Sequence, residues 1–588
     1  MNSNTNPEGD TPLNRPDEVA PPGIGFLRWG YVAPFLLWLI IVVGALLGRP
    51  PTAPYELEML ASAWHMWQDG VWIPLRSGIG NGDQPPLQLW TILAGWHVFG
   101  IGDGWPRILS VLCSLATLVL IGLSALSLWP HRQMTELYAR ILLAGVMAFA
   151  LIATMVQAEP LGLLFTALGF HALTKLWHSN ISTGSAMLWW SVFGGTVLLI
   201  LFAIGNIAWL VLPLIAALAP RQNMLGQRQA AVQPVAGSAR VILKFAPAWH
   251  LALLISLLPA AIAWVAWIQY LRQTGNAASF IGFGNGWLHP ATEASRREMW
   301  SLFLAPVLLY PWICWKTLWR AMAKQWRGRV GRSFRLCLLF LATTMISGIA
   351  SGWQMQGLIY IILPLSLLGA RLLATQEIRA KDFHAIVPSL LALLLGLFFF
   401  LMNIVPTAHL DALWRQLFDV PLPIWIGGIG MTSGLVLLVA GYGIAQLSPT
   451  HLLSRTIQVA TLPVLLMTCI NIEFPFNLRQ FFDLEPVAQR LRQLEEAGQP
   501  LAVYGPYRGE FDFYGRLSEA PISLPNRQAA LAWAKDNPAG VIVSYFDGSP
   551  LRLPALPYYR GVARDRWVAI WPTSAVTATE GATLNSNF

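Results

Sequence analysis

The chain has 588 residues, of which 55% are hydrophobic and only 11% are charged, and its formal net charge at pH 7 is +9. Soluble domains carry roughly 25% charged residues, so this composition excludes an ordinary soluble protein. The basic residues cluster in short loops between apolar segments, a pattern that argues against nucleic-acid binding and is typical of membrane proteins.

Polar tails frame a long apolar region. Residues 1–29 are polar and rich in proline and predict a disordered cytoplasmic tail, and residues 574–588 predict a second tail. Between them, in residues 30–472, runs of about twenty apolar residues predict transmembrane helices. The predicted fold class is therefore mainly α, a polytopic membrane protein. About thirteen spans are predicted: Tyr31–Leu47, Ile108–Trp129, Ala139–Val156, Leu161–Trp177, Ala186–Ala203, Ile207–Ala219, Ala246–Ile268, Leu302–Trp319, Leu336–Ala350, Leu358–Ala374, Ala385–Val405, Ile424–Ile444 and Ile457–Ile472.

Orientation follows from the loops. Lys and Arg are concentrated in alternate loops, most densely between Trp319 and Arg335. The positive-inside rule places these loops, and with them the N-terminus, in the cytoplasm. The loop of residues 50–106 and the C-terminal domain then face outward, which in a bacterial inner (plasma) membrane is the periplasm. The simplest interpretation of the Arg-rich loop is a topology anchor rather than a binding site.

After Glu473 the sequence becomes mixed in character and predicts a soluble domain over residues 473–573. The segment DLEPVAQRLRQLEEAG predicts an amphipathic helix, with Pro486 early and Gly498 at its end. PLAVYG and GVIVSYF predict strands, with a helix around Ala529–Lys535 between them. Strands that alternate with helices predict a small α/β domain with a partly parallel sheet.

The first external loop predicts two helices. LEMLASAWHMWQDG predicts an interfacial helix, because apolar residues recur at helical spacing and Trp suits the headgroup zone. These apolar residues are Leu57, Leu60, Trp64 and Trp67. Pro86 is predicted to begin a second apolar helix, at a position that tolerates proline.

Three acidic residues lie at predicted external span ends: Glu56, Asp83 and Glu159. Ionisable groups near a bilayer are costly and are often functional. Each also has a plain alternative explanation. Asp83 lies in a Gly-rich turn before a proline pair and could simply cap the next helix. Glu159 precedes a proline in a short loop and could be an ordinary turn residue.

The order of these features resembles the GT-C superfamily of polyprenyl-phosphate-dependent glycosyltransferases, in the branch of the lipid A aminoarabinose transferase and the protein O-mannosyltransferases. That branch has an Asp-Glu pair after the first span, an acidic-Lys-Pro-Pro motif, and an acidic residue before a proline between the third and fourth spans. The corresponding residues here are Tyr55-Glu56, Asp83-Gln84-Pro85-Pro86 and Glu159-Pro160. Further similar motifs are Phe99-Gly100, Arg107-Ile108-Leu109 and Ser351–Pro364. The resemblance covers nearly the whole chain.

The chain departs from that pattern at three positions. Tyr55 replaces the leading Asp, so Glu56 must carry any acidic role there, and Gln84 and Gln356 replace two lysines. Two cations expected near a phosphate are therefore missing. The arginines that could substitute for them are Arg107, Arg272, Arg296 and Arg297.

The resemblance implies that a sugar is transferred, with inversion, from a polyprenyl phosphate to a lipid, glycan or protein acceptor at the external face. It implies a carboxylate base, either Glu56 or Asp83, with Glu159 orienting the acceptor or binding a metal. Tyr360 and one of the arginines, beside Gln84 and Gln356, would hold the donor phosphate. A divalent ion (Mg, Mn or Zn) bound by the three carboxylates stays open. Membrane lipids are expected partners and nucleic acid is not.

Two other classes are compatible with many spans. A transporter or flippase for lipid-linked sugars usually shows internal repeats and charges at mid-membrane, whereas here no repeat is evident and the acidic residues lie at span ends. A catalytically inactive relative that acts as a membrane scaffold would tolerate substitution of Glu56, Asp83 and Glu159.

Overall fold

The computed structural model describes residues 24–52, 55–74, 85–177, 181–204, 207–219, 247–274, 316–327, 331–350, 359–375, 386–418, 422–447, 449, 451–546, 556–563 and 566–577. Within these ranges the chain is mostly helical, with one five-stranded sheet near its C-terminal end.

The helices of the first half follow the predicted spans closely. They are α1 (Ile24–Gly48), α2 (Tyr55–Asp69), α3 (Pro86–Phe99), α4 (Gly104–Leu128), α5 (Met134–Ala144), α6 (Met147–Ile152), α7 (Glu159–Trp177), α8 (Thr183–Ala203), α9 (Val211–Leu218), which follows a 3-10 turn at Ile207–Leu210, and α10 (Pro247–Gln273). The helix predicted to begin at Pro86 is confirmed. One predicted span is wrong as a single helix, because Ala139–Val156 is divided between α5 and α6 at Gly145. Glycine has low helix propensity, which favours a break at this point.

The second half of the bundle contains α11 (Lys316–Arg327), α12 (Arg332–Ala350), α13 (Ile362–Leu373) after a 3-10 turn at Ile359–Ile361, α14 (Ile386–Met402), α15 (Thr407–Phe418), α16 (Met431–Gln446) after a 3-10 turn at Ile424–Gly428, and α17 (Leu452–Glu473). Most of the predicted span Leu302–Trp319 lies outside the described residues.

Six described helices are long and apolar enough to cross a membrane. They are Trp29–Gly48, Gly104–Leu128, Thr183–Ala203, Ala248–Gln273, Arg332–Ala350 and the run that begins at Leu452. Four shorter apolar helices accompany them. The chain is thus a polytopic membrane protein, while the count of about thirteen spans stays a prediction.

The bundle is held by an apolar core in which α7 packs against α4 and α8, and α1 packs against α17. Phe170 of α7 and Phe340 of α12 are buried and stack with ring centroids 4.4 Å apart. This packing brings the first turns of α4 and α7, which carry Arg107 and Glu159, to the same end of the bundle.

The chain continues from α17 through a π-helical turn at Phe474–Leu478 into α18 (Arg479–Phe482) and α19 (Glu485–Glu496). The C-terminal elements are β1 (Leu501–Tyr504), α20 (Asp512–Gly515), β2 (Ile522–Leu524), α21 (Arg527–Asp536), β3 (Val541–Phe546), β4 (Tyr559–Ala563), β5 (Arg566–Pro572) and α22 (Thr573–Thr577). The sheet order is β2-β1-β3-β5-β4, with β2, β1 and β3 parallel and β5 and β4 antiparallel. The α/β character and the partly parallel sheet are confirmed.

The apolar face of α2, which was predicted to lie at the membrane surface, is covered by other parts of the protein. Its apolar side chains, among them the fully buried Leu57 and Leu60, share one hydrophobic core with α3, β1, β3 and α19. Trp64 donates a hydrogen bond of 2.9 Å to the carbonyl of Leu517. The apolar face that the sequence suggested for the membrane surface therefore contacts protein. This contact brings the C-terminal α/β region against the helix that carries Glu56.

Candidate active site

Glu56 lies in the first turn of α2 and is completely buried. Its Oε1 accepts hydrogen bonds of 2.9 Å from Arg49 Nη2 and from the backbone N–H of Val156. Its Oε2 accepts bonds of 2.9 Å and 2.8 Å from the N–H and the hydroxyl of Thr52. A carboxylate has about four acceptor positions. All of them are used here, and the negative charge is compensated by Arg49.

Arg49 directly follows the first membrane helix, and its side chain is only 7% exposed. Burial lowers the pKa of Arg49, Glu56 opposes this change, and repulsion from Arg107 lowers the pKa further. The guanidinium groups of Arg49 and Arg107 are thus close enough to repel each other. The pair Arg49–Glu56 and the residue Arg107 belong to one electrostatic cluster.

Arg107 lies in the first turn of α4 and is also buried. Its Nε and Nη2 have no hydrogen-bond partner among the described residues. The Oδ2 of Asp103 is 3.7 Å from Nε, which is an ion pair but too long for a hydrogen bond. Burying unused guanidinium donors is costly unless an anion or water satisfies them. Arg107 is therefore suited to bind a phosphate.

Glu159 is the first residue of α7 and is also buried. The carboxylate interacts with its own backbone N–H, but its Oε2 has no partner in the described part of the chain. Tyr360 lies within electrostatic reach of this carboxylate. The Tyr360 hydroxyl is so close to Gly162, one turn into α7, that a Cβ atom there would overlap it. A glycine at this position is what allows tyrosine and helix to approach.

The short loop before α7 connects these groups. The backbone N–H of Val156 binds Glu56. Val156 precedes Glu159 by three residues, so the Cα atoms of Val156 and Glu159 are at most about 11 Å apart. The hydroxyl of Ser110, one turn after Arg107 in α4, donates a 2.6 Å hydrogen bond to the Met155 carbonyl. The structure thus brings together four residues that the sequence singled out, namely Glu56, Arg107, Glu159 and Tyr360.

Other predicted site residues are placed less fully. Asp83, Gln84, Arg296, Arg297 and Gln356 lie outside the described residues. The residue directly before α3 is Pro85, whose side chain makes no capping hydrogen bond. Arg272 is exposed in the last turn of α10, five residues and about 7.5 Å along the helix from Trp267. The Trp267 ring packs at 5.4 Å on Trp90 of α3, so the end of α10 lies beside the helix that follows Asp83.

Sequence reasoning missed two polar residues. Arg49 neutralises Glu56, and its only signal was a single cation placed directly after the first span. Gln88 in α3 is 1% exposed, and neither amide atom has a partner among the described residues. Its signal was an amide in the first turn of an otherwise apolar helix.

The metal prediction is tested in part. Within the described ranges, no group of three His, Cys, Asp or Glu side chains could hold a metal ion. Glu56 has no acceptor position left for one. Because Asp83 lies outside these ranges, the predicted metal site of Glu56, Asp83 and Glu159 is not tested at Asp83.

Comparison with solved structures gives a clear result. The crystal structure of apo ArnT from Cupriavidus metallidurans matches with a TM-score of 0.63 and 15% identity, covering 94% of this chain and 98% of that one. The fold is that of ArnT. The ArnT structure bound to undecaprenyl phosphate matches similarly, with a TM-score of 0.62, 14% identity, and coverage of 93% and 98%. The chain therefore shares the fold of these two structures over nearly its whole length.

A more distant likeness is to the oligosaccharyltransferase AglB from Archaeoglobus fulgidus in complex with an inhibitory peptide and dolichol phosphate. Its TM-score is 0.45 at 10% identity, with coverage of 89% of this chain and 70% of that one, so it adds nothing to the ArnT comparison. The sequence matches no protein-family model and no curated protein.

Proposed function

We propose that this chain is an integral-membrane glycosyltransferase that transfers a sugar from a polyprenyl phosphate to an acceptor hydroxyl. The observation that carries the proposal is one buried region holding both a carboxylate, Glu159, and a guanidinium, Arg107, each with polar atoms that have no partner among the described residues. Sugar transfer from a phosphate needs both groups, a base for the acceptor and a cation for the leaving group. The ArnT fold and the order of the motifs support the same reaction class.

In the proposed reaction Glu159 takes the proton of the acceptor hydroxyl. The acceptor oxygen then forms a bond to the anomeric carbon while the bond from that carbon to the phosphate oxygen breaks, with inversion. Arg107 stabilises the negative charge that develops on the departing polyprenyl phosphate, because a guanidinium matches phosphate geometry. Tyr360, which lies within electrostatic reach of Glu159, donates a hydrogen bond to the same phosphate or to the sugar in this proposal.

The roles of the three carboxylates are thereby revised. Glu56 has no lone pair free to accept a proton or to bind a metal, so we assign it to structural support of the site. Asp83 remains a candidate for the base, and Glu159, which the resemblance implied only for orienting the acceptor or binding a metal, is the residue that we assign to that role. If a divalent ion takes part, Glu159 and Asp83 are the residues that would hold it, and it would polarise an oxygen of the phosphate.

The test is sugar transfer by the purified chain in lipid nanodiscs, with a radiolabelled polyprenyl-phosphate sugar and an extract of envelope lipids and glycans. Glu159→Gln and Asp83→Asn should each lower the rate by at least about a hundredfold, as expected for loss of a base or metal ligand. The variant Glu496→Gln, which changes an exposed carboxylate in α19, is the matched control and should be fully active. Full activity of both site variants would refute the assignment.

We also propose that the reaction takes place on the external face, with the N-terminus in the cytoplasm. The Lys/Arg bias of alternate loops supports this orientation. Reporter fusions at Arg329 and Phe588 should give signals from opposite sides of the membrane. Two signals from the same side would contradict the orientation.

The same region disfavours the alternative of a scaffold. A scaffold has no use for a buried glutamate oxygen and buried guanidinium donors that have no partner in the described part of the chain, since both cost free energy.

A further inference from the structure

The C-terminal α/β region contacts α2 through a buried polar pair. His65 Nε2 and Asp512 Oδ2 are 2.9 Å apart, and the two side chains are 3% and 0% exposed. Because a carboxylate only accepts, His65 Nε2 is the donor. His65 lies in the C-terminal third of α2, and Asp512 begins α20.

The second oxygen of Asp512 is also bound. Tyr507 donates its hydroxyl proton to Oδ1, and the backbone N–H of Phe511 donates a 3.2 Å hydrogen bond to the Tyr507 oxygen. Burial and the Asp512 charge raise the pKa of Tyr507 well above its usual value, which keeps the hydroxyl protonated as a donor. Asp512 is therefore fixed within its own domain and offers one oriented oxygen to His65.

The helix α2 connects this pair to the candidate active site. His65 lies nine residues after Glu56, about 13.5 Å along a rigid helix. Glu56 in turn holds the N–H of Val156, three residues before Glu159. Asp512 is thus connected to His65 by a hydrogen bond, His65 to Glu56 by the helix α2, and Glu56 to Val156 by a second hydrogen bond. A short loop segment then leads from Val156 to Glu159.

We propose that Asp512 and His65 are positioning residues through which the C-terminal domain holds α2, and with it Glu56 and the loop before Glu159, in the geometry needed for transfer. This inference rests on the proposed function. Apolar contacts such as those of Leu57 and Leu60 attach α2 to the domain but are not directional, and Trp64 adds one part-buried hydrogen bond to the Leu517 carbonyl. A buried, directional hydrogen bond fixes one register, which is the best attested use of such groups.

The test compares Asp512→Ala with the conservative Asp512→Asn, whose amide oxygen can still accept from Tyr507 and whose amide nitrogen can donate to Nε2 of the other His65 tautomer. Asp512→Ala should lower kcat between about ten- and a hundredfold with little change in KM for the donor, because a shift of about 1 Å can cost two orders of magnitude. Asp512→Asn should recover most of that loss. Gln68→Ala is the matched control, since Gln68 bonds the Ser518 carbonyl from the exposed end of the same contact, and it should act like the wild type.

A second measurement does not depend on sugar transfer. Hydrogen exchange of the Val156 amide should become faster in Asp512→Ala and stay slow in Asp512→Asn and Gln68→Ala. If Asp512→Ala is not recovered from membranes, His65→Ala removes the same bond from the other partner. In the double variant the two losses should not add, because they remove one interaction.

Two results would overturn the inference: wild-type exchange at Val156 in Asp512→Ala or His65→Ala, or a kcat unchanged by both. If the wild-type chain shows no transfer at all, the proposed function fails, and the exchange at Val156 alone then decides whether the domain positions α2.

Discussion

The first turns of α2 and α7 each carry one buried glutamate, and the two side chains differ in what surrounds them. Glu56 accepts four hydrogen bonds and is paired with Arg49. Glu159 has an oxygen without any partner among the described residues. Removing a buried carboxylate that is paired and fully hydrogen-bonded destabilises a structure, whereas an unsatisfied one costs free energy and is retained where it serves a ligand or a reaction. Burial and charge alone do not separate these roles, but the hydrogen-bond partners do.

The largest expected effect is on stability, at Glu56. Glu56→Gln leaves Arg49 buried without a counter-charge and turns an amide toward two donors, which should cost about 3–5 kcal/mol. We expect a large fall in the melting temperature of the detergent-purified chain, measured by intrinsic tryptophan fluorescence. Glu159→Gln should not lower that temperature, because Oε2 of Glu159 has no partner within the described ranges that would be lost.

Two further variants complete this measurement. The double variant Arg49→Gln/Glu56→Gln should recover part of the loss, because the uncompensated charge is gone. Glu496→Gln, in an ion pair with side chains 51% and 61% exposed, should leave the melting temperature unchanged. A melting temperature that falls equally in Glu56→Gln and Glu159→Gln would remove the distinction between the two carboxylates.

The sequence predicted those parts of the molecule whose signals are local. The α19 helix was recognisable from Pro486 and the amphipathic pattern, and the strands β1 and β3 from short apolar runs. Glu56 and Glu159 were recognisable as acidic residues at predicted span ends, and Arg107 and Tyr360 only through motif order. Their roles were not, because the partners that decide them are distant along the chain. Val156 lies 100 residues from Glu56, and Asp512 lies 447 residues from His65. The hydrophobic periodicity of a sequence does not predict contacts between residues so far apart.

Arg49 and Arg107 differ in the same way as the two glutamates do, and the expected effect on donor binding is of intermediate size. Arg49 is paired with Glu56, whereas Nε and Nη2 of Arg107 have no hydrogen-bond partner in the described chain. Arg107→Gln should raise the KM for the polyprenyl-phosphate donor roughly ten- to a hundredfold, the value of one or two hydrogen bonds to a charged group. Charge removal at Arg272, Arg296 and Arg297 in turn should weaken donor binding in at least one variant.

Donor affinity is measured by titrating the labelled donor into nanodisc-embedded protein, with Arg508→Gln as an exposed control in the C-terminal region. Arg107→Lys should recover the charge but not the two-pronged geometry, and so only part of the affinity. Wild-type affinity in all four charge-removal variants would exclude these arginines as the phosphate site.

The smallest expected effect concerns Glu510, a carboxyl between these extremes. Burial raises the pKa of Glu510, two backbone N–H groups oppose this change, and the charges of Asp512 and Glu58 raise it further. Because the pKa of Glu510 is higher in the folded than in the unfolded chain, proton binding at Glu510 adds to the free energy of unfolding. This contribution is complete below about pH 4.3 and is lost as the pH rises through the folded-state pKa. Glu510→Gln, which is neutral throughout, should therefore melt slightly higher than the wild type at pH 7. The difference in melting temperature should vanish toward pH 4. If the variant instead melts lower than the wild type at pH 7, or if the difference does not depend on pH, Glu510 is held as a satisfied carboxylate like Glu56.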